Sequence, residues 1–155
     1  DMRDLSQFSQ ESFDLVFNPC SVSFISEVRP VFEQSYRVLR TGGQLMCGFT
    51  NPVRFIFDEE KLEREEFSVR HTLPYKDTTH LNSEELEKIR MDQEPFMFSH
   101  SLEDLIAGQL KAGFTIMDMF EDMADDDPLA KFLPIYFATL AEKPVPNPTP
   151  PTKPS

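Results

Sequence analysis

Ser12-Phe13-Asp14-Leu15-Val16-Phe17-Asn18 and, after a helical interval, Gln44-Leu45-Met46-Cys47-Gly48-Phe49 are the two runs on which the fold turns. Each is short, apolar and rich in β-forming side chains. Each is closed by an Asn-Pro pair, Asn18-Pro19 or Asn51-Pro52. Such runs read as buried strands. Between them, Pro30 stands where a first helical turn tolerates a missing N–H. Val31, Phe32, Ser35, Tyr36, Val38 and Leu39 then recur at spacings that draw one stripe along an amphipathic helix. Gly42-Gly43 is expected to stop this helix with a left-handed residue. Strand, helix and strand with short connections make one right-handed crossover of a parallel sheet.

Downstream the rhythm breaks. Residues 53–99 are rich in charge and show only short helical stretches, such as Ser83 to Arg90 with Ser83 at its start. They are expected to form an insertion or lid over the sheet's active edge. Ser101-Leu102-Glu103-Asp104 opens a further helix with Ser101 as its cap. Leu102, Leu105, Ile106 and Leu110 are its expected buried face, and Ala112-Gly113 its end. Phe114 to Phe120 reads as a third strand, Asp125 to Pro128 as a turn, and Pro134 to Leu140 as a fourth strand. From Pro144 to Ser155 six of the twelve residues are Pro, which predicts an extended, disordered tail after a domain spanning 1–143.

The chain has 155 residues, 39 % of them hydrophobic, with fifteen Phe and seven Met. A chain of this size buries roughly 70 % of its unfolded surface and needs no metal or disulfide staple. Its net charge of −12 repels phosphate backbones, and no basic stripe offsets it, so nucleic acid is excluded as a direct partner. The acids cluster at Asp58 to Glu66 and Asp118 to Asp127, which read as solvated surfaces. Cys20 and Cys47 have no metal-like spacing and fit free thiols in a cytoplasmic setting. No apolar run approaches the roughly 20 residues of a membrane span.

Three segments carry a resemblance. The first is Asp1-Met2-Arg3-Asp4-Leu5 leading to Ser12-Phe13-Asp14-Leu15-Val16. The second is Tyr36-Arg37-Val38-Leu39-Arg40-Thr41-Gly42-Gly43-Gln44-Leu45. The third is His100-Ser101-Leu102-Glu103-Asp104-Leu105 with Ala112-Gly113-Phe114. In this order and spacing they resemble the middle and end of class I S-adenosylmethionine-dependent methyltransferases, of the group that includes the ubiquinone- and menaquinone-pathway enzymes. The resemblance covers about residues 1–143, least through 53–99. Thr41 departs from the Pro usual there. It implies an α/β fold: the C-terminal portion of a Rossmann-like methyltransferase sheet, parallel strands plus one antiparallel strand, with helices on both faces and the N-terminal strands missing. The glycine-rich loop of that family has no counterpart, since no Gly-x-Gly occurs in the chain. The chain is accordingly expected to be a fragment, inactive alone.

The resemblance also implies roles. S-adenosylmethionine is the implied cofactor and a small-molecule methyl acceptor the implied partner. Asp1 would accept a hydrogen bond from the adenine amino group, with the Met2 N–H facing the ring. Asn18, Pro19 and Cys20 would lie beside the methionine part, where open α/β sheets bind ligands. No metal site is expected. His71, His80, His100 and Tyr75 are candidates for a base acting on the acceptor, although each histidine stands alone and packing histidines are commoner. Phe55, Phe57, Phe67, Phe96, Met97 and Phe98 suggest an apolar acceptor pocket or, more simply, core. Asp14, at the start of its strand, reads as a structural cap. An unpaired edge along Phe13 to Phe17 predicts a homodimer. Two other readings stay open: a non-catalytic methyltransferase-like subunit that binds a partner, and an unrelated α/β enzyme such as a nucleotide-binding reductase.

Overall fold

The computed structural model describes residues 1–146. Strand β1 (Phe13–Pro19) leads through a short 3-10 turn, Ser21–Phe24, to helix α1 (Arg29–Val38) and strand β2 (Leu39–Thr50). Three short helices follow: α2 (Glu59–Leu62), α3 (Asp77–His80) and α4 (Ser83–Met91). A π-helical segment, Glu103–Ala107, then runs into α5 (Gly108–Ala112), which precedes β3 (Thr115–Asp122) and β4 (Tyr136–Glu142). The expected tail at 144–155 lies, from residue 147 on, outside the described residues.

The sheet has the order β1-β2-β4-β3. β1 and β2 are parallel, and β4 is antiparallel to both β2 and β3. One antiparallel strand therefore sits between strands that all run the other way, as the resemblance implied.

Inside, the packing follows the pleat. Leu45, Cys47 and Phe49 of β2 and Phe137, Thr139 and Ala141 of β4 all point to one face and are buried. α1 covers that face through Val31 and Phe32, and the π-helical segment before α5 through Leu105. Phe32 is fully buried and meets the Phe49 ring edge-on at 6.4 Å. Truncating such a ring to Ala costs about 3–5 kcal/mol. Gly108 lets α5 lie against Phe32, since a Cβ there would sit 3.1 Å from the Phe32 ring. The opposite face is open along β1 and the strand edges: Leu15, Phe17 and Phe120 are 51 %, 62 % and 61 % exposed.

Four local expectations are corrected. Gly42-Gly43 does not stop α1, which ends at Val38 when Leu39 turns extended. The pair instead serves a bulge: β1 advances from Phe13 to Leu15 while its β2 partners advance from Leu39 to Gln44, and Gly42 takes a φ of 77° there. The end of α1 is satisfied by Lys143, whose Nζ donates to the carbonyls of Tyr36 (3.1 Å) and Leu39 (2.8 Å). The buried face of the helix after Ser101 is Leu105, Gly108 and Gln109, whereas Leu102 and Leu110 are 59 % and 52 % exposed. The wider π turn rotates the stripe. Buried Gln109 donates to the Leu105 carbonyl and accepts from Thr139 Oγ1. Asn82, not Ser83, caps α4, in a full capping box with Glu85. Asp14 is no cap either. Its carboxylate pairs with Arg40 on the neighbouring strand.

Residues 53–99 gather beyond the carboxyl ends of β1 and β2. Phe98 N–H donates to the Ser23 carbonyl, tying the segment to the turn after β1. Among the described residues no helix is long and apolar enough to cross a membrane.

Candidate functional site

The tip of β1 carries Asn18, Pro19 and Cys20, three of the five residues expected from sequence to face the cofactor. Asn18 is buried, because the parallel pairing that places it beside Cys47 turns its side chain to the core face. Its Nδ2 donates to Met2 Sδ at 3.7 Å, and its Oδ1 accepts from Ser21 Oγ at 2.7 Å. Pro19 ends the strand and is exposed. Cys20 follows with a φ of 57°, in the left-handed region, and its N–H donates to the Gly48 carbonyl at 3.1 Å. A non-glycine residue held in that region is strained, and strain of this kind concentrates at functional sites. Gly48 is what allows the tip to come so close, since a Cβ there would lie 3.2 Å from Cys20 Sγ. Burial pushes the Cys20 thiol pKa up, so it stays protonated.

The structure thus brings Met2, Asn18 and Cys20 to one tip. Asp1 is separate in its bonding: both carboxylate oxygens are engaged by the Arg3 guanidinium, with the closest contact 2.6 Å. This fork is half exposed, and surface pairs of this kind contribute about 0–1 kcal/mol. Another donor could displace Arg3 at little cost.

Next to the tip, a cavity of about 680 Å³ opens between the ends of β2 and β4 and the 53–99 segment. That size suits a small molecule. Thr50 and Tyr136 form the sheet side, with Phe55, Phe57, His71, Tyr75 and Met97 opposite. Of the Phe and Met residues weighed from sequence, Phe55, Phe57 and Met97 line the cavity. Phe67 packs edge-on against Phe132, and Phe96 lies under the Arg90 guanidinium.

The four candidate bases separate cleanly. His100 is buried and its Nε2 contacts the Val22 carbonyl at 3.0 Å, a structural pin. His80 uses both ring nitrogens, Nε2 with Thr72 (3.3 Å) and Nδ1 with the Lys76 backbone (3.2 Å). Tyr75 donates its phenol proton to Asp77 at 2.6 Å. Burial, then that bond and the Asp77 charge, hold its pKa far above the ordinary value, so it stays a donor. His71 lines the cavity with no hydrogen bond to its ring among the described residues. Burial, then the charges of Arg70 and His80, lower its pKa and favour the neutral imidazole.

Two arginines with no local sequence signal, Arg54 and Arg70, complete the wall. Arg54 bonds both Glu59 and Asp127, the latter at 2.8 Å. Burial works against its charge, but the two carboxylates outweigh it and keep it protonated. Arg70 bridges Asp58 and Glu85. The Asn82 N–H and then Arg70 lower the Glu85 pKa. Asp58 and Asp127, read from sequence as part of solvated acidic surfaces, are therefore ion-pair partners as well as caps for α2 and the Pro128–Lys131 turn.

With this geometry in place, the likenesses are specific. Residues 1–47 match the family model described as a methyltransferase domain. The uncharacterized methyltransferase YbaJ of Bacillus subtilis (strain 168) is 39 % identical over 142 residues, which are 92 % of this chain and 55 % of that protein. The chain therefore spans about half the length of the curated relative it matches. An S-adenosylmethionine dependent methyltransferase of Mesorhizobium loti superposes with a TM-score of 0.63 at 14 % identity, over 92 % of this chain and 66 % of the other. A SAM-dependent methyltransferase of Methanosarcina mazei gives 0.57 at 16 % identity, over 94 % and 65 %. In sequence the chain is similar to methyltransferases, and in structure it carries the fold of those that depend on S-adenosylmethionine.

Proposed function

We propose that the intact protein transfers a methyl group from S-adenosylmethionine to a small-molecule acceptor, and that this chain supplies the acceptor side and part of the cofactor side. The observation that carries the reading is the tip of β1. A buried Asn18, a strained Cys20 and an adjoining Met2 meet there at the carboxyl end of a sheet ordered β1-β2-β4-β3. Ligands of open α/β sheets bind at such ends. The donor set suits a nucleoside sulfonium: Asp1 offers a carboxylate to an exocyclic amine, and the backbone at Met2 and Asn18 offers neutral contacts beside it.

Bound there, the cofactor supplies an already activated methyl group. The chain's own task is positioning and water exclusion, which needs no nucleophile of its own. The aromatic wall of Phe55 and Tyr75 excludes water, and the 53–99 segment acts as the lid over the acceptor. The likeness to the ubiquinone- and menaquinone-pathway group supports a small-molecule acceptor. Unbridged Cys20 and Cys47 support a cytoplasmic setting. The free edge of β1 with exposed Leu15 and Phe17 supports a homodimer.

Alone, the chain should bind the cofactor poorly. One charge-assisted hydrogen bond contributes about 1.5–3 kcal/mol, whereas micromolar affinity needs about 8 kcal/mol. Calorimetry with S-adenosylmethionine tests the reading. The 155-residue chain is expected to show no micromolar saturation, and the longer parent protein is expected to show it. A parent protein that fails to bind overturns the function. Micromolar binding by the chain itself overturns the division of the site.

A further inference from the structure

We propose that the cavity between the β2 end and the 53–99 segment is a binding pocket for an organic cation, an arylalkyl amine in its protonated form. The name acceptor pocket rests on the methyl-transfer reading. The binding does not, because every lining residue belongs to this chain.

Two independent features set the ligand class. The first is the aromatic wall. Phe55 stacks on Tyr75 at 5.8 Å, and the His71 ring lies 4.8 Å from Tyr75. Aromatic faces bury a flat ring and attract a cation near their centres.

The second is the balance of charge. Both lining arginines are already committed, Arg54 to Glu59 and Asp127, Arg70 to Asp58 and Glu85. Glu60, Glu63, Asp92 and Glu94 also line the cavity and form no ion pair among the described residues. Of the lining cations only Lys88 is left without a carboxylate partner there. The lining is thus net negative, which draws cations in and turns carboxylates away.

His71 adds a hydrogen-bond acceptor inside. It faces Arg70, Asp58, Glu85, His80 and Tyr75, and its ring nitrogens are unbonded among the described residues. An ammonium entering the pocket can donate an N–H to the unprotonated ring nitrogen of His71 and keep its charge. Burial and the nearby Arg70 charge favour the neutral imidazole that this bond needs.

The test is an NMR titration of the chain with tryptamine, against 3-methylindole and indole-3-acetate as neutral and anionic controls. Tryptamine is expected to saturate with shifts confined to Phe55, His71, Tyr75 and Met97, and to weaken as salt rises. Indole-3-acetate is expected not to bind. The exposed double variant Glu60→Gln/Glu63→Gln should weaken tryptamine about threefold, as loss of two solvent-screened attractions implies. Equal binding of all three compounds, no binding of tryptamine, or shifts elsewhere overturns the proposal. Amine binding by a parent protein that takes no S-adenosylmethionine upholds the pocket and overturns the methyl-transfer reading. Methyl transfer by the parent to an acid or a neutral acceptor does the reverse.

Discussion

Asp77 is the residue whose loss should reveal how the cavity wall is held. It is 4 % exposed and accepts two hydrogen bonds of 2.6 Å, one from the Tyr75 phenol and one from the Met97 N–H. Its own N–H donates to the Met97 carbonyl at 3.1 Å. The side chain therefore fastens the start of α3 to the strand-like return at residue 97. Asp77→Ala strands a phenol and a backbone donor away from water, at about 1–3 kcal/mol each. Relief from burying a carboxylate offsets part of that. The net expectation is a loss of about 3 kcal/mol, and about half that for Asp77→Asn, which keeps one good acceptor. With a urea m-value of about 2 kcal/mol/M, the midpoint for Asp77→Ala should fall by about 1.5 M. The protein has no Trp, so unfolding is followed by far-ultraviolet circular dichroism. Tyr75→Phe closes a double-mutant cycle, in which a coupling of about 1 kcal/mol is expected. An Asp77→Ala midpoint within about 0.3 M of the parent, at unchanged slope, would refute the reasoning, because buried donors cannot be abandoned so cheaply.

His71 should leave a signature in pH. Its folded pKa lies below the ordinary 6.5, so between those two values the unfolded chain binds more protons. Stability should therefore rise with pH across that window and level off above it, and His71→Asn should flatten the rise. Urea midpoints on either side of 6.5 check this, and an identical slope in the variant would remove the cause. The bare edge of β1 should support dimers: sedimentation of the chain is expected to show them, and Phe17→Glu is expected to give monomers. Sedimentation of the unsubstituted 155-residue chain as a monomer counts against the interface.

What was legible in the sequence was whatever declares itself locally. β1, α1 and β2 were visible because apolar runs end at Asn-Pro and because one helical stripe lies between them. The place of β4 between β2 and β3 was not local at all; the resemblance implied only that one strand would run antiparallel. Leu102 and Leu110 misled because a stripe drawn at 3.6 residues per turn does not follow a helix that widens to π over Glu103–Ala107. The motif pointed to Asp1, Met2, Asn18, Pro19 and Cys20, and residue type singled out Phe55, Phe57, His71, Tyr75 and Met97 of the cavity wall, but the ion pairs and hydrogen bonds that hold that wall gave no sign. Arg54 finds Asp127 across 73 residues, and Tyr75 finds Asp77 only because residue 97 returns to hold it. Residue type told which groups can pair, and only the folded path told which do.

The position of β4 has a kinetic consequence. Its ladder is what joins β3 to the rest of the sheet, and it is the last of the four strands to be synthesised. Until Tyr136 to Glu142 leave the ribosome, two halves of the nascent chain wait with open edges, and their union depends on a contact that spans much of the polypeptide. Assembly should therefore be slow and late, and a stop codon ahead of Tyr136 should yield two disconnected β elements instead of a shortened sheet.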